Sequence, residues 1–313
     1  MQVRKPARLQ KGDLIGIISP ASPIADTSRI DRGVRYLERL GYEVVVGSNV
    51  QKTRGYLAGT DNERLDDLHA MFSDKRVRAI ICVRGGYGTP RLLPLVNYRL
   101  IAQNPKILVG FSDITALQLA IWKKCRLITF HGPMLGVDMA EEFDPFTEEM
   151  FWRSVTSPKK IGTLTFDAVS QPTAIHAGKS KGRLLGGNLS LIISILGTPY
   201  QPDFAGSILF MEETAEEPYR IDRMITQLRN ARVLKKTNAI LAGQFLDCAQ
   251  KDPHKPSLSL EEIFSEFGGI VGKPFLMNLP FGHQKKKMTI PVGLAAGVDA
   301  SARTLAYLES AVR

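Results

Sequence analysis

The chain has 313 residues, of which 44% are hydrophobic and 23% charged, a composition typical of a globular protein with two domains or one large one. No stretch approaches the roughly 20 apolar residues of a transmembrane helix, and no repeat or long polar low-complexity segment occurs, so membrane-spanning and disordered proteins are excluded. The formal net charge of +10 at pH 7 favours anionic partners, which include carboxylate-rich substrates, nucleic acid and anionic lipid.

The basic residues give little support to nucleic acid among these partners. They are mostly scattered, and the densest run, the three lysines at 285–287, is interpreted as a solvated loop. No zinc-finger spacing or aromatic–basic recognition motif accompanies it. We therefore predict neither a nucleic-acid nor a membrane partner.

The first residues and the cysteines indicate the cellular compartment. Residues 1–11 are basic like the start of a signal peptide, but the apolar run at 14–18 is too short for a signal-peptide core and is interrupted by Ser19-Pro20. The three cysteines are odd in number and widely spaced, which is typical of buried free thiols in a reducing compartment. We expect a cytoplasmic protein.

Strand and helix signals alternate along the first half of the chain. This alternation predicts a mainly parallel sheet with helices on both faces, and in such sheets chemistry gathers at the carboxyl ends of the strands. The predicted strands lie at 14–19, 42–46, 77–83 and 107–110, and the predicted helices at 26–40 or 28–40, 61–72 and 113–124.

The pattern becomes loop-rich and polar after a predicted helix at 146–152, and a second, less regular α/β region begins near Gly182. The predicted division is an N-terminal domain at 1–160, a linker at 161–181 and a C-terminal domain at 182–313. The second region contains a short apolar helix after Asn188, strands at 207–211 and 239–245, helices at 220–232 and 259–267, and a tail of strands and turns from 275 to 308.

A serine lies at a predicted strand-to-helix turn in KILVGFSDITAL, residues 106–117. Such a turn presents the Ser112 hydroxyl at the carboxyl edge of the sheet, and it leaves the N–H of Asp113 available to an oxyanion. Serine is also a good helix N-cap, and Ile114 stands where the hydrolase motif G-x-S-x-G has its last glycine. From this segment alone, nucleophile and helix cap are equally favoured.

A glycine-rich turn, RGGYG at 84–88, follows another predicted strand. Glycines there let the backbone approach a ligand and point N–H groups at an anion. A phosphate site is the rival interpretation, but the segment lacks the P-loop pattern and matches G-x-G-x-x-G poorly. Gly85 or Gly86 would supply a second oxyanion donor beside Ser112.

A serine nucleophile needs a base and a carboxylate that orients it. Of the five histidines, His131 and His283 each follow a possible strand, although by position alone a structural role is the safer interpretation of either. Four glutamates, at 212, 213, 216 and 217, crowd the end of one predicted strand. Glu212 follows that strand directly, where burial beside an imidazole is most plausible.

The chain resembles the LD-carboxypeptidase family, serine peptidases that include muramoyltetrapeptide carboxypeptidases and the microcin C immunity hydrolases. The matching segments span nearly the whole chain in the family's order, which is more specific than any one motif. They are GDLIGIISPASP, RGGYGTPRLLPLVNY, VGFSDITALQLAIW, TFHGPM, GRLLGGNLSLIISILGTPY, LFMEETAEEPYRIDRMITQL and LPFGHQKKKMTIPVG.

The resemblance implies a role for each candidate residue. Ser112 matches the family's nucleophile, Glu212 its glutamate and His283 its histidine, which favours His283 over His131. It further implies a flavodoxin-like N-terminal domain, a smaller C-terminal α/β domain, an active site in the cleft between them, and a homodimer. No metal or organic cofactor is implied.

The implied reaction releases terminal D-Ala from an L-centre diamino acid in cytoplasmic murein tetrapeptide, as in peptidoglycan recycling. Such an anionic muropeptide suits the basic surface. The alternative is an immunity-type hydrolase of aminoacyl-adenylate analogues, which needs an aromatic residue to stack the adenine, and residues 246–258 contain no Trp, Tyr or Phe. A non-catalytic anion-binding protein is the third hypothesis.

Overall fold

The computed structural model of the chain describes residues 2–164, 166, 171–252 and 254–313. Its strands form two β-sheets, one of six strands and one of eight. The strands are β1 (Leu14–Ile18), β2 (Glu43–Val46), β3 (Val77–Cys82), β4 (Ile107–Gly110), β5 (Thr129–His131), β6 (Gly162–Leu164), β7 (Thr173–His176), β8 (Lys179–Asn188), β9 (Ile208–Thr214), β10 (Ala239–Leu246), β11 (Phe275–Met277), β12 (Ile290–Val292), β13 (Ala295–Asp299) and β14 (Thr304–Tyr307).

Helices cover the sheets and connect their strands. A π-helical turn, Leu135–Met139, follows β5. The α-helices are α1 (Ser28–Arg39), α2 (Asp61–Ser73), α3 (Thr89–Leu92), α4 (Tyr98–Gln103), α5 (Ile114–Cys125), α6 (Pro145–Thr156), α7 (Leu189–Ser194), α8 (Pro218–Asn230), α9 (Val233–Lys236) and α10 (Leu260–Val271). In the part of the chain that the structure describes, none of them combines the length and apolar character that a bilayer crossing requires.

The first sheet has the order β12-β5-β4-β3-β1-β2. Its strands β1 to β5 are parallel, and their order is that of flavodoxin-like folds. All side chains of β3 and β4 except Arg78 are buried, because helices cover both faces of a parallel sheet. The predicted flavodoxin-like sheet is confirmed.

The second sheet has the order β6-β14-β13-β8-β9-β10-β11-β7. Its centre, β8 to β11, is parallel, and its two edges are antiparallel. A strand from the second half of the chain, β12, pairs antiparallel with β5 of the first sheet, and β13 returns at once to the second sheet. The last part of the chain therefore ties the two sheets together.

Local signals explain where several helices begin. Thr60 and Glu63 form a capping box at the start of α2, and Ser259 and Glu262 form another at α10. Asn188 caps α7 through its side chain. The helices predicted near Asp61, after Asn188 and from 259 are confirmed.

The segment predicted as a linker, residues 161–181, contributes strands to the second sheet. Of the predicted linker, 161–181, residues 165 and 167–170 lie outside the described residues. The described part contains β6, β7 and the beginning of β8, all strands of the second sheet. The division into domains at 1–160 and 182–313 stays a prediction.

Candidate functional site

Ser112 lies in the turn between the carboxyl end of β4 and the start of α5. Its φ is 61°, a left-handed conformation that is strained for a residue other than glycine and typical of a nucleophile elbow. A Cβ on Gly110 would stand 2.9 Å from Cγ1 of Ile114. The turn therefore requires glycine at position 110, two residues before the serine, because the Ile114 side chain occupies the space that a Cβ would need.

The interpretation of Ser112 as a helix cap is wrong. Within the described residues its hydroxyl makes no hydrogen bond, and the residue at the cap position is Asp113. The Asp113 carboxylate accepts hydrogen bonds from the backbone N–H groups of Gly88 (3.2 Å) and Thr89 (2.8 Å). Burial raises the pKa of the Asp113 carboxyl, and these hydrogen bonds oppose that rise. Asp113 thus fixes the glycine-rich turn against the helix start.

Gly85 lies directly against Ser112. A Cβ on Gly85 would stand 2.9 Å from the Ser112 Cβ, 3.1 Å from its Oγ and 3.3 Å from the Asp113 nitrogen, so only glycine allows this approach. Gly86 has a φ of 115°. Among the described residues no acceptor pairs with the backbone N–H of Gly85, Gly86 or Asp113. Three unpaired donors therefore lie on the serine's own turn and on the glycine-rich turn packed against it.

Ser22 holds the glycine-rich turn from the other side. Its N–H donates to the Gly85 carbonyl at 3.3 Å. Its hydroxyl accepts from the Tyr87 N–H at 3.0 Å and donates to the Tyr56 carbonyl at 2.7 Å. These bonds orient the turn, with the Gly85 carbonyl facing Ser22.

Glu212 and His283 form a hydrogen-bonded pair. Glu212 lies in β9 and is fully buried, and its Oε2 is 2.7 Å from Nδ1 of His283. Because Nδ1 faces the carboxylate, Nε2 is left as the nitrogen available to another group. Gly282 (φ 121°) permits the contact, since a Cβ there would stand 3.1 Å from the same Oε2. The ring of Phe111 packs edge-on against the imidazole, with centroids 5.0 Å apart.

The neighbouring glutamates have other partners. Glu213 faces the opposite side of β9, because successive strand residues alternate. It accepts hydrogen bonds from Asn188 Nδ2 (2.7 Å) and from the N–H and hydroxyl of Ser190 (2.8 and 2.6 Å) at the start of α7. Glu216 pairs with Arg220 at 3.6 Å, and Glu217 is at the N-cap of α8. Glu212 alone of the four contacts a histidine in the described part of the chain.

His131, the rival base, is buried in β5. Its ring lies between those of Phe111 and Phe210, at 5.9 and 5.5 Å, and neither ring nitrogen has a hydrogen-bond partner among the described residues. Burial, together with the nearby charges of His283 and Lys287, lowers the pKa of the imidazole to about 3. His131 is a neutral core residue.

Ser112 and His283 line the same cavity, of about 400 Å³, here called the site cavity. Several residues of its wall were not singled out from the sequence, because nothing in their local pattern marks them. The wall consists of Ile24, Ala25, Asp26, Arg29, Arg84, Gly85, Gly86, Phe111, Ser112, Met134, Gly136, Val137 and His283. Within the described ranges no group of three or more His, Cys, Asp or Glu side chains is placed to hold a metal ion.

The interpretation of the lysines at 285–287 as a solvated loop is wrong for Lys287. This residue is 3% exposed, and its Nζ is 2.6 Å from the Asp138 carboxylate and 4.5 Å from the centre of the Phe111 ring. Its N–H also donates to the Thr147 hydroxyl at 2.8 Å. Lys287 and Asp138 line a second cavity of about 440 Å³ that shares His283 with the site cavity.

Two family models match the chain: the LD-carboxypeptidase N-terminal domain at residues 15–132 and the LD-carboxypeptidase C-terminal domain at residues 181–298. The chain belongs to the LD-carboxypeptidase family. The predicted family is thereby confirmed, and so is the two-domain α/β architecture that the family implies.

Named relatives of the family cover nearly the whole chain. The probable murein peptide carboxypeptidase of Bacillus subtilis is 40% identical, over 98% of this chain and 95% of its own length. The structure of the microcin C7 self-immunity protein MccF in complex with aspartyl sulfamoyl adenosine matches with a TM-score of 0.90 and 28% identity, over 99% of this chain and 100% of that one. The crystal structure of the muramoyltetrapeptide carboxypeptidase of Oxalobacter formigenes matches with a TM-score of 0.82 and 32% identity, over 94% and 97%.

Proposed function

We propose that this chain is a serine LD-carboxypeptidase that hydrolyses the amide bond between an L-centre diamino acid and the terminal D-Ala of murein tetrapeptide. The observation that carries the proposal is the 2.7 Å hydrogen bond between the buried Glu212 carboxylate and His283, whose ring lines one cavity with Ser112. The names of the Bacillus subtilis and Oxalobacter formigenes relatives support the substrate class.

In the proposed mechanism, the Ser112 oxygen attacks the carbonyl carbon of the scissile amide while His283 Nε2 takes the serine proton. Glu212 keeps the Nδ1 proton in place and stabilises the imidazolium that forms. The C–N bond then breaks, and His283 gives its proton to the leaving D-Ala amine. Water, deprotonated by the same histidine, hydrolyses the acyl-enzyme and restores the serine.

The oxyanion is held in this proposal by the N–H of Asp113 and that of Gly85 or Gly86. All three donors are unpaired among the described residues, and Gly85 lies against both Ser112 and Asp113. Removal of one such donor costs about 3 kcal/mol of transition-state stabilisation in a site that excludes water.

The proposal is tested by D-Ala release from murein tetrapeptide. The purified wild-type protein releases D-Ala, and Ser112→Ala abolishes the release while its circular dichroism and melting temperature stay those of the wild type. Ser190→Ala is a matched control, because Ser190 hydrogen-bonds to Glu213 outside the site cavity. Unchanged release by Ser112→Ala would contradict the assignment of the nucleophile.

A second candidate is hydrolysis of aminoacyl-adenylate analogues, which the similarity to the MccF complex with aspartyl sulfamoyl adenosine favours. It ranks below the first because residues 246–258 contain no Trp, Tyr or Phe to stack an adenine. Turnover of aspartyl sulfamoyl adenosine in parallel with murein tetrapeptide separates the two candidates.

We propose further that the protein acts in the cytoplasm in peptidoglycan recycling and that it is a homodimer. The reduced-thiol pattern of its cysteines supports the compartment, since all three are buried and free. Cell fractionation tests the location, and light scattering after size exclusion tests the dimer.

A further inference from the structure

Two arginines line the site cavity, and only one of them is neutralised. Arg29 donates to the Gly136 carbonyl at 2.6 Å and pairs with the Glu141 carboxylate at 3.0 Å. Arg84 donates one hydrogen bond, from Nη1 to the Pro23 carbonyl at 3.2 Å, and no carboxylate pairs with it in the part of the chain that the structure describes. The guanidinium of Arg84 therefore keeps most of its donors and its full charge for a ligand.

The position of Arg84 brings this charge to the reacting centre. Its Nη2 lies 3.7 Å from the point where a Gly86 Cβ would stand, so the guanidinium folds back over the glycine-rich turn. The next residue, Gly85, contacts Ser112. A group bound to Arg84 in the site cavity thus shares that cavity with Ser112.

Among the described residues, the carboxylate in the wall of the site cavity is that of Asp26, and it does not compete for Arg84. Asp26 accepts hydrogen bonds from Ser28, including one of 3.0 Å from its N–H, and pairs with Arg32 at 3.3 Å. Hydrogen bonding by Ser28, with a contribution from Arg32, lowers the pKa of the Asp26 carboxyl. The Asp26 carboxylate therefore already has partners, and the Arg84 guanidinium is left without a counter-charge among the described residues.

We infer that Arg84 binds the C-terminal carboxylate of the residue that is released and makes the site select a free chain end. The inference rests on the proposed function. A guanidinium is the side chain best suited to a carboxylate, because it offers two parallel N–H donors in a rigid fork. A substrate that ends in a neutral amide accepts fewer hydrogen bonds from the guanidinium and leaves its positive charge unpaired.

The test compares two substrates that differ only at the chain end: murein tetrapeptide with free terminal D-Ala, and the same peptide ending in D-alaninamide. We expect the wild-type kcat/KM to be about 10- to 100-fold higher for the acid, the range of a hydrogen bond to a charged group. In Arg84→Met the acid-to-amide ratio falls to within about threefold of one. Arg84→Lys keeps the charge without the fork and gives an intermediate ratio.

Arg29→Met is the matched control, since Arg29 lines the same cavity but is bound to the protein, and it keeps the wild-type ratio. Thermal unfolding of each variant identifies any loss of fold, and the ratio in Arg84→Lys decides if Arg84→Met does not fold. Equal wild-type turnover of acid and amide, or an unchanged ratio in the folded Arg84 variants, overturns the role of Arg84 and leaves the peptidase activity standing. Failure of the wild type to cleave either peptide overturns the proposed function, and this inference with it.

Discussion

Gly85 offers the sharpest test of the oxyanion site. A methyl group there would stand 2.9 Å from the Ser112 Cβ, 3.1 Å from its Oγ and 3.3 Å from the Asp113 nitrogen. It therefore crowds both the serine and the proposed oxyanion donor on Asp113. We expect Gly85→Ala to lower kcat for D-Ala release by about 10²- to 10³-fold, the effect of losing one donor.

We expect Gly85→Ala to lower the stability of the protein only moderately. The backbone of Gly85 does not have the positive φ that would strain an alanine, and the clash involves one methyl group. Overpacking of this size costs about 1–3 kcal/mol, which corresponds to a melting temperature lower by only a few degrees. The variant is thus expected to be folded and nearly inactive.

The assay measures D-Ala release at saturating tetrapeptide beside thermal unfolding of the same sample. Gly269→Ala is the control: this glycine lies in α10, nothing stands within 4 Å of its added Cβ, and the variant keeps kcat with stability raised by about 0.5–1 kcal/mol. A folded Gly85→Ala with kcat within about threefold of the wild type would refute the placement of the oxyanion beside Gly85.

Three other substitutions probe the partners of the site. Glu212→Gln replaces the carboxylate at His283 Nδ1 and lowers kcat by about 10³- to 10⁴-fold, measured by D-Ala release, because the amide stabilises neither the required tautomer nor the imidazolium. Lys287→Met leaves the buried Asp138 carboxylate without its cation and lowers the free energy of unfolding by about 3–5 kcal/mol in urea titrations. His131→Phe removes a pH dependence of the free energy of unfolding. Burial lowers the pKa of His131 from 6.5 to about 3, so the folded state disfavours protonation of this imidazole. The stability that the neutral imidazole allows is therefore present above pH 6.5 and is lost as the pH falls towards 3. The wild type should lose about 1.5 kcal/mol relative to the variant between pH 6.5 and pH 5.

Each of these expectations has a contradicting outcome. Glu213→Gln is the control for Glu212 and reduces stability rather than kcat, since Glu213 binds the start of α7; equal kcat losses in the two variants would argue against the role of Glu212. Adding Asp138→Asn to Lys287→Met should restore part of the lost stability, and no recovery would mean that the ion pair is not the cause. Parallel pH curves for wild type and His131→Phe would mean that His131 is charged or exposed.

The sequence predicted the first sheet well because its strands are continuous apolar runs bounded by turn residues. The strand β8 was missed, since its end, Gly186-Gly187-Asn188, has the composition of a turn. In the fold Gly186 allows close contact with β9, since a Cβ on it would stand 1.8 Å from the Phe210 carbonyl oxygen. Such a requirement comes from the neighbouring strand and leaves no signal in the local pattern.

The candidate site was predictable only in part, because contacts between segments distant along the chain decide which side chains meet. By local pattern His131 and His283 both follow possible strands. In the fold His131 is buried without a hydrogen-bond partner among the described residues, whereas His283 meets Glu212, and both outcomes depend on how distant segments pack. Glu212 and Glu213 differ by one residue, so the face of β9 to which each points decides which one meets the imidazole. Arg84 and Lys287 lie within motifs, but the ion pair of Lys287 with Asp138 and the absence of a carboxylate beside Arg84 among the described residues depend on segments distant along the chain.

The most direct test of the proposed triad and its substrate is mass spectrometry of products after wild-type protein and Ser112→Ala are each incubated with murein tetrapeptide and, separately, with aspartyl sulfamoyl adenosine. We expect the wild type to release D-Ala from the tetrapeptide and to cleave the adenosine analogue poorly, and we expect Ser112→Ala to do neither. Preferential cleavage of the analogue would contradict the substrate assignment, and D-Ala release by Ser112→Ala at the wild-type rate would contradict the triad.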